Sequence, residues 1–499
     1  MKISRSTAIA IALVWISSVC LMLANTQPEL SYDEASYASS TTLSWHQLWS
    51  SRDYSRHGHG PLMIYLAKLG RDHLPTQWLS IETRMRLPIV LVSALAPVIA
   101  WIVIRHAFGG SKLAAWLGSS LLLLSVIRLA ETNIFGPHGL MLDWMLAICG
   151  IGYAWRNRID WKTVAVLGCI FALAGVTMTY AIPLVICWLA STAVGGGKWL
   201  TLNRRRITVS LGVLAVMAIA AVGMAVLWPP SILQRTFWND FVYYADYFRQ
   251  RGQPTLLGGV VHGRVGPLAY LYWFARLDLP LLVTGVPALG WVLWQAVRAR
   301  EEAYKYRYLA VFNLILILVA ANAHVAGSRN ALQFLGVTCI VVAVAADDIW
   351  ATSLFRHVRI YIVAATVILA VVNLGYQWWA PWRIPYLATN GYAKFVEENS
   401  TVLAENEVAI VGGTPILRFY ASQAAKPIAW QTKWTHWTSD QPAELPDNAK
   451  YALLTELVYR YYPREHPAQS VIVPNWQVIW EYKKPRTYGL RLYRRPNTE

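Results

Sequence analysis

The chain has 499 residues, of which 56% are hydrophobic and 14% charged, and it carries a net charge of +17. A mean hydropathy of +0.36 excludes a string of ordinary soluble domains. The positive charge does not point to nucleic acid, because the basic residues are scattered through loops and form no single stripe; contact with a membrane and its anionic lipids accounts for them.

A helix that crosses ~30 Å of hydrocarbon needs roughly 20 mostly apolar residues. In chain order, apolar runs that reach or approach this length cover 7–24, 87–104, 113–127, 140–153, 164–176, 181–193, 207–227, 279–297, 309–322, 331–346 and 360–374. They predict about eleven spans, with the pair inside 164–193 short and almost without a loop between its members. Lys2 and Arg5 precede the first run as they would in a signal peptide, but the run lengthens into a full span and Asn25-Thr26-Gln27 is a poor cleavage site, so a retained first helix is expected. Alternate short loops are basic: Lys2 and Arg5, Arg105 and Lys112, Arg156 and Lys162, Arg204 to Arg206, Arg298 and Arg307, Arg356 and Arg359. The positive-inside rule makes that face cytoplasmic and sends the loops 25–86 and 228–278 and the tail outward, as expected of a multi-pass cell (inner) membrane protein. All five cysteines lie in apolar runs without paired spacing, which indicates neither a disulfide framework nor a zinc site.

Beyond Leu374 the apolar runs shorten to strand length, and charges and prolines return. The pattern predicts strands over 408–411, 451–454, 471–473, 478–482 and 488–492, with helices over 392–398 and 416–422. The expected organisation is a transmembrane domain over 1–375, whose first external loop spans 25–86, and a small soluble α/β domain over 376–499.

Three stretches carry chemistry. The first external loop opens with Ser31-Tyr32-Asp33-Glu34-Ala35-Ser36-Tyr37, two adjacent carboxylates at the membrane surface. The bland alternative makes Asp33 a helix N-cap with Glu34 in the first turn, where the helix dipole favours negative charge. Arg56-His57-Gly58-His59-Gly60-Pro61-Leu62 follows, a cationic segment whose glycines allow backbone to approach a ligand; its alternative is a surface loop with two ordinary histidines. Gly136-Pro137-His138-Gly139 then leads into a span with Asp143 about one turn inside it. An acid at that depth is costly and usually functional, unless it is a first-turn carboxylate still in reach of water.

In this order the pieces resemble the GT-C glycosyltransferases of the protein O-mannosyltransferase and aminoarabinose transferase type. The resemblance covers nearly the whole chain as architecture and three short stretches as motif. It implies an inverting transferase, metal-independent or weakly linked to a divalent metal, that uses a polyprenyl-phosphate sugar. It places Asp33 at the reaction centre and maps the later family acid onto Asp143. Many members have Lys-Pro-Pro-Leu, with the lysine near the carrier phosphate, where this chain has His59-Gly60-Pro61-Leu62. His59 thus takes the lysine position and is a cation there only when protonated.

The reaction itself asks for similar parts. An acceptor hydroxyl that attacks C1 must pass its proton to a nearby base, for which Asp33 is the candidate, with Glu34 and Asp143 positioning acceptor or sugar. The departing lipid phosphate gathers charge and needs cations beside it. Arg329, in Ala326-Gly327-Ser328-Arg329-Asn330 before the tenth run, is best placed, with His59 and Arg56 beside it and Arg84, Arg86, Arg264 and Arg276 as weaker candidates. Tyr37, His57, His138 and Tyr244 are assigned to the substrate cavity; Tyr244 lies in the aromatic run 241–248, which reads as an interfacial helix. The expected partners are a polyprenyl-phosphate sugar, membrane lipids and a glycan, lipid or protein acceptor. The rival readings are a polyprenyl-lipid transporter or flippase, which should show paired inverted repeats, and an O-antigen-ligase-like transferase, which would carry its cations in a late external loop.

Overall fold

An apolar stretch in lipid has no water to bond its backbone, so it folds into a helix that satisfies those groups internally. The apolar runs named above fall on helices, 87–104 and 113–127 each shared between consecutive ones, in the computed structural model, which describes residues 5–24, 29–30, 32–50, 60–132, 136–155, 159–178, 181–195, 203–230, 253–255, 259–261, 268–298, 303–321, 328–351, 357–379, 391–399, 408–411, 414–423, 449–456, 467–483 and 489–496. The first long helix is α1 (Arg5–Ala24), followed by the short α2 (Tyr32–Ser40), α3 (Trp45–Ser50) and α4 (Leu62–His73). Then come α5 (Ile81–Ser93), α6 (Ala96–Ile102) with a π-helical turn over Val103–Ala107, α7 (Lys112–Leu124), α8 (Val126–Thr132), α9 (Pro137–Ala154), α10 (Trp161–Thr177), α11 (Ala181–Gly195) and α12 (Asn203–Leu227). The remaining bundle helices are α13 (Leu268–Leu277), α14 (Leu279–Arg298), α15 (Ala303–Ala321), α16 (Ser328–Ala351) and α17 (Arg359–Trp379). Among the described residues, seven helical segments are long and apolar enough to cross a membrane, and α7, α10 and α11 are shorter apolar helices. Leu13, Ile207, Leu214 and Ile368 lie exposed on this bundle, as lipid-facing side chains do, while Trp101, Leu146, Phe312 and Ile340 pack its core.

A hairpin of β1 (Gln253–Thr255) and β2 (Gly259–Val261) interrupts the bundle sequence. After α17 come α18 (Tyr392–Glu398), β3 (Val408–Val411), α19 (Thr414–Gln423), β4 (Tyr451–Thr455), α20 (Pro467–Asn475), β5 (Gln477–Tyr482) and β6 (Leu490–Arg494). The strands form one mixed sheet in the order β3-β4-β6-β5, with β3 parallel to β4 and the other pairs antiparallel. The helices over 392–398 and 416–422 and the strands over 408–411, 451–454 and 478–482 are where the sequence puts them.

Two expectations there are corrected. Residues 471–473 are helical, in α20, not a strand. Three β-branched residues are too few to set a strand by propensity; Pro467 opens the helix with a φ already suited to it, and Ile472 is buried. Gly489, expected within the last strand, precedes it; the strand runs over Leu490–Arg494 in register with β4, where Leu453 sits opposite Leu492.

A second apolar cluster joins this small unit to one end of the bundle. It contains Ala35 and Ala38 of α2, Ile64 of α4, Met85 of α5, Phe395 of α18 and Leu417 of α19. The short helices after α1 are therefore held between the bundle and the C-terminal elements.

The glycine-rich stretch enters this region at Gly60, and its close approach is to protein rather than to a ligand. The Gly60 N–H donates to the Thr177 carbonyl at the end of α10 (3.0 Å), and a Cβ at residue 60 would lie 2.0 Å from the Val176 carbonyl oxygen. Backbone cannot step aside as a flexible side chain does. Gly60→Ala is expected to destabilise the protein by about 1–3 kcal/mol, the usual range for overpacking, read as a lowered thermal midpoint in detergent; an unchanged midpoint would refute the close approach.

Candidate active site at the acid-pair helix

Helix α2 begins at Tyr32, so Asp33 stands inside its first turn and is not the cap. The Asp33 side chain lies outside the described atoms, but the next residue fixes the helix that carries it. Glu34 is fully buried and is gripped by Arg86 of α5, whose Nε and Nη2 donate to its two carboxylate oxygens at 2.7 Å each. Two parallel charge-assisted bonds set both distance and rotation, which one ammonium would not do. Glu34 is thus no solvated first-turn carboxylate; its charge is spent on holding α2 against α5. The same pairing corrects the reading of Arg86 as a phosphate ligand, since the guanidinium is 2% exposed and committed to Glu34.

Nη2 of Arg86 also donates to the Glu29 carbonyl (2.8 Å). The Glu29 carboxylate in turn accepts from the backbone N–H groups of Gly391 (2.9 Å) and Tyr392 (3.0 Å) at the start of α18. Gly391 has a φ of 118°, a conformation that a residue with a Cβ rarely adopts. Tyr420 of α19 donates its hydroxyl to Glu82 Oε1 (2.8 Å) and accepts from the Leu30 N–H (3.1 Å). Burial first, and the Glu82 and Glu29 carboxylates second, push the Tyr420 phenol well above its ordinary range, so it keeps the proton that it donates.

Asp143 lies on the buried side of α9 and is 1% exposed, which removes the reading of a carboxylate in reach of water. Neither of its oxygens has a hydrogen-bond partner among the described residues. The opposite charge acting on it comes from Arg128 of α8, itself fully buried and bonded through Nη2 to Ser18 of α1. Helix α8 is held in turn by Asp278, at the junction of α13 and α14. That carboxylate accepts from Ser125 Oγ (2.5 Å) and from the Val126 and Ile127 N–H groups, which caps α8 from another helix pair. His138, in the first turn of α9, borders a small apolar cavity with Met141, Met145, Met178 and Gln333. Both amide atoms of Gln333 lack partners among the described residues.

The other candidates are placed as follows. Tyr37 is buried in the apolar cluster of α2 and therefore packs the helix rather than bordering an open cavity. Arg84 donates to the Arg71 carbonyl (2.9 Å), and Arg276 to the Tyr272 hydroxyl (2.7 Å). Arg329 is in the first turn of α16, with its side chain outside the described atoms; Arg56, His57, His59, Tyr244 and Arg264 lie outside the described residues. No three metal-ligating side chains converge among the described residues.

Sequence reasoning missed Glu29, Tyr420, Arg128 and Asp278, and gave Arg86 the wrong partner. One signal was legible. Arg86 opens an apolar run just before Pro88, and a charge entering a span needs a partner by the same rule that singled out Asp143.

No protein-family model and no curated protein matches the sequence. Among solved structures, ArnT from Cupriavidus metallidurans bound to undecaprenyl phosphate is similar over 97% of each chain, at 13% identity and a TM-score of 0.54. Its apo form is similar over 98% of each chain, at 13% identity and a TM-score of 0.56. The archaeal oligosaccharyltransferase AglB from Archaeoglobus fulgidus, in complex with an inhibitory peptide and a dolichol-phosphate, is similar over 99% of this chain and 75% of that one, at 11% identity and a TM-score of 0.57. The class so defined is a multi-pass helical membrane protein with a small α/β unit packed on one end of its bundle. Its fold is the one seen in ArnT and AglB, as the resemblance of the three stretches around Asp33, Pro61 and Asp143 led one to expect.

Proposed function

We propose that the chain is an inverting glycosyltransferase that moves a sugar from a polyprenyl-phosphate carrier to a lipid, glycan or protein acceptor at the outer face of the membrane. The observation that carries this reading is the buried two-bond grip of Arg86 on Glu34, which immobilises the helix bearing Asp33. A rigid first turn presenting an acid suits a base that must meet a bound hydroxyl within hydrogen-bond distance. The similar structures bound to undecaprenyl phosphate and dolichol-phosphate support a carrier of that class.

In this mechanism the acceptor hydroxyl attacks C1 of the sugar and passes its proton to Asp33. The bond from C1 to the carrier phosphate breaks on the opposite face, and the phosphate leaves with the electron pair. Arg329, His59 and Arg56 neutralise the charge it gathers. Glu34 acts as a positioning residue through Arg86, and Asp143 with Arg128 shapes the electrostatics beneath the site. The 1–375 segment forms the catalytic membrane domain and the 376–499 segment the outer unit.

The test is donor turnover by purified protein, with a panel of labelled polyprenyl-phosphate sugars and membrane lipid extract as acceptor. Loss of labelled donor with label appearing in an acceptor is the expected result. Binding of polyprenyl phosphate with no donor consumed would replace this reading with that of a lipid transporter.

A further inference from the structure

We infer that Glu29 and Tyr420 are positioning residues, through which the C-terminal unit sets the placement of Asp33. The inference rests on the glycosyltransferase reading of Asp33. Residues 29 and 30 lie just ahead of α2 and between the two halves of the molecule. On one side the Glu29 carbonyl is bound to Arg86, the residue that holds Glu34. On the other, the Glu29 carboxylate accepts from the two N–H groups that begin α18.

Tyr420 closes a second link at the same point. Its hydroxyl bridges the Leu30 N–H and the Glu82 carboxylate, and Glu82 stands one turn before Arg86 on α5. Helix α5 thus holds α2 through Arg86 and the C-terminal unit through Glu82, while residues 29 and 30 tie the two together. Glu29 and Glu82 are each 8% exposed and Tyr420 7%, so water is a poor substitute partner for any of these bonds. The apolar packing has the same geometry: Ala35 and Ala38 of α2 share a cluster with Leu417 and Tyr420 of α19. A loosened C-terminal unit would therefore release the front of α2, and Asp33 sits in that first turn. A displacement of an ångström there is enough to slow chemistry without weakening binding.

Three full-length variants decide the matter: Glu29→Ala, Glu29→Gln and Tyr420→Phe, reconstituted in lipid. For each, kcat and the donor KM are measured, along with hydrogen exchange of the amides over 32–40 and the thermal midpoint of the helical signal. Glu29→Ala and Tyr420→Phe are expected to lower kcat about tenfold at unchanged donor KM, with faster exchange in α2 and a lowered but still cooperative midpoint, as the loss of buried hydrogen bonds requires. Glu29→Gln keeps a carbonyl acceptor and is expected to recover most of the activity. Should Glu29→Ala fail to fold, Tyr420→Phe, which removes a single oxygen, carries the test. Exchange in α2 as slow as in the wild type overturns the inference, as does loosened α2 with full turnover. A wild type that consumes no donor refutes the glycosyltransferase reading alone; the tether is then judged by exchange.

Discussion

Arg86→Met is expected to destabilise the protein by about 3–5 kcal/mol and to abolish sugar transfer. The loss is large because of what stays behind. Glu34 is fully buried and each of its oxygens accepts from Arg86, so removing the guanidinium takes two charge-assisted bonds from a carboxylate where water does not reach. The Glu29 carbonyl loses its donor as well. A surface arginine would cost well under ~1 kcal/mol in the same substitution. The double variant Glu34→Met/Arg86→Met separates the two consequences. A buried ion pair replaced by apolar side chains of similar size is often neutral for stability, so most of the thermal midpoint should return while transfer stays absent. A single variant that keeps its midpoint in detergent would mean that the pair is not buried in the native protein.

Asp33→Asn is expected to have the opposite profile. Asparagine keeps the size and the helix position but cannot take the acceptor's proton. Transfer should fall by about 10²–10⁴-fold, the range for a lost general base. Stability should stay within about 0.5 kcal/mol, since no structural bond of this side chain is invoked. The decrease belongs in kcat and in kcat/KM equally, because the interaction lost is one made only in the transition state. A variant within threefold of wild type would remove Asp33 from the role of base and make Asp143 the next acid to test. Taken with Arg86→Met, the pair of variants separates the acid that acts from the acid that holds.

Much of the architecture was legible as pattern. Helices lie on the apolar runs because an apolar backbone in lipid must bond to itself, whatever its neighbours do. In the C-terminal unit, the runs at 408, 451 and 478 formed strands, while Val471-Ile472-Val473 did not, since a run of three is decided by what surrounds it. In the site, that Asp33 and Asp143 stand on helices followed from their places in the chain. The roles of their neighbours did not. Glu34 reads like a second catalytic acid until Arg86, 52 residues away, is seen holding it. Gly60 reads as a ligand-facing glycine until Val176 is found against it. Tyr420 could not be tied to residue 30 by any spacing, since it lies 390 positions further along the chain.

By itself the sequence determined the membrane class, the helices, the mixed nature of the tail and which residue types stand near the start of the first loop. These depend on hydropathy and local periodicity, which each segment carries alone. Only the tertiary structure decided that Glu34 is a structural anchor, that Asp143 and Arg128 are buried together in the bundle, and that the C-terminal unit packs on the acid-pair helix. The cost of burying a charge is relieved by a partner from anywhere in the chain, and which partner arrives is settled by how the helices pack.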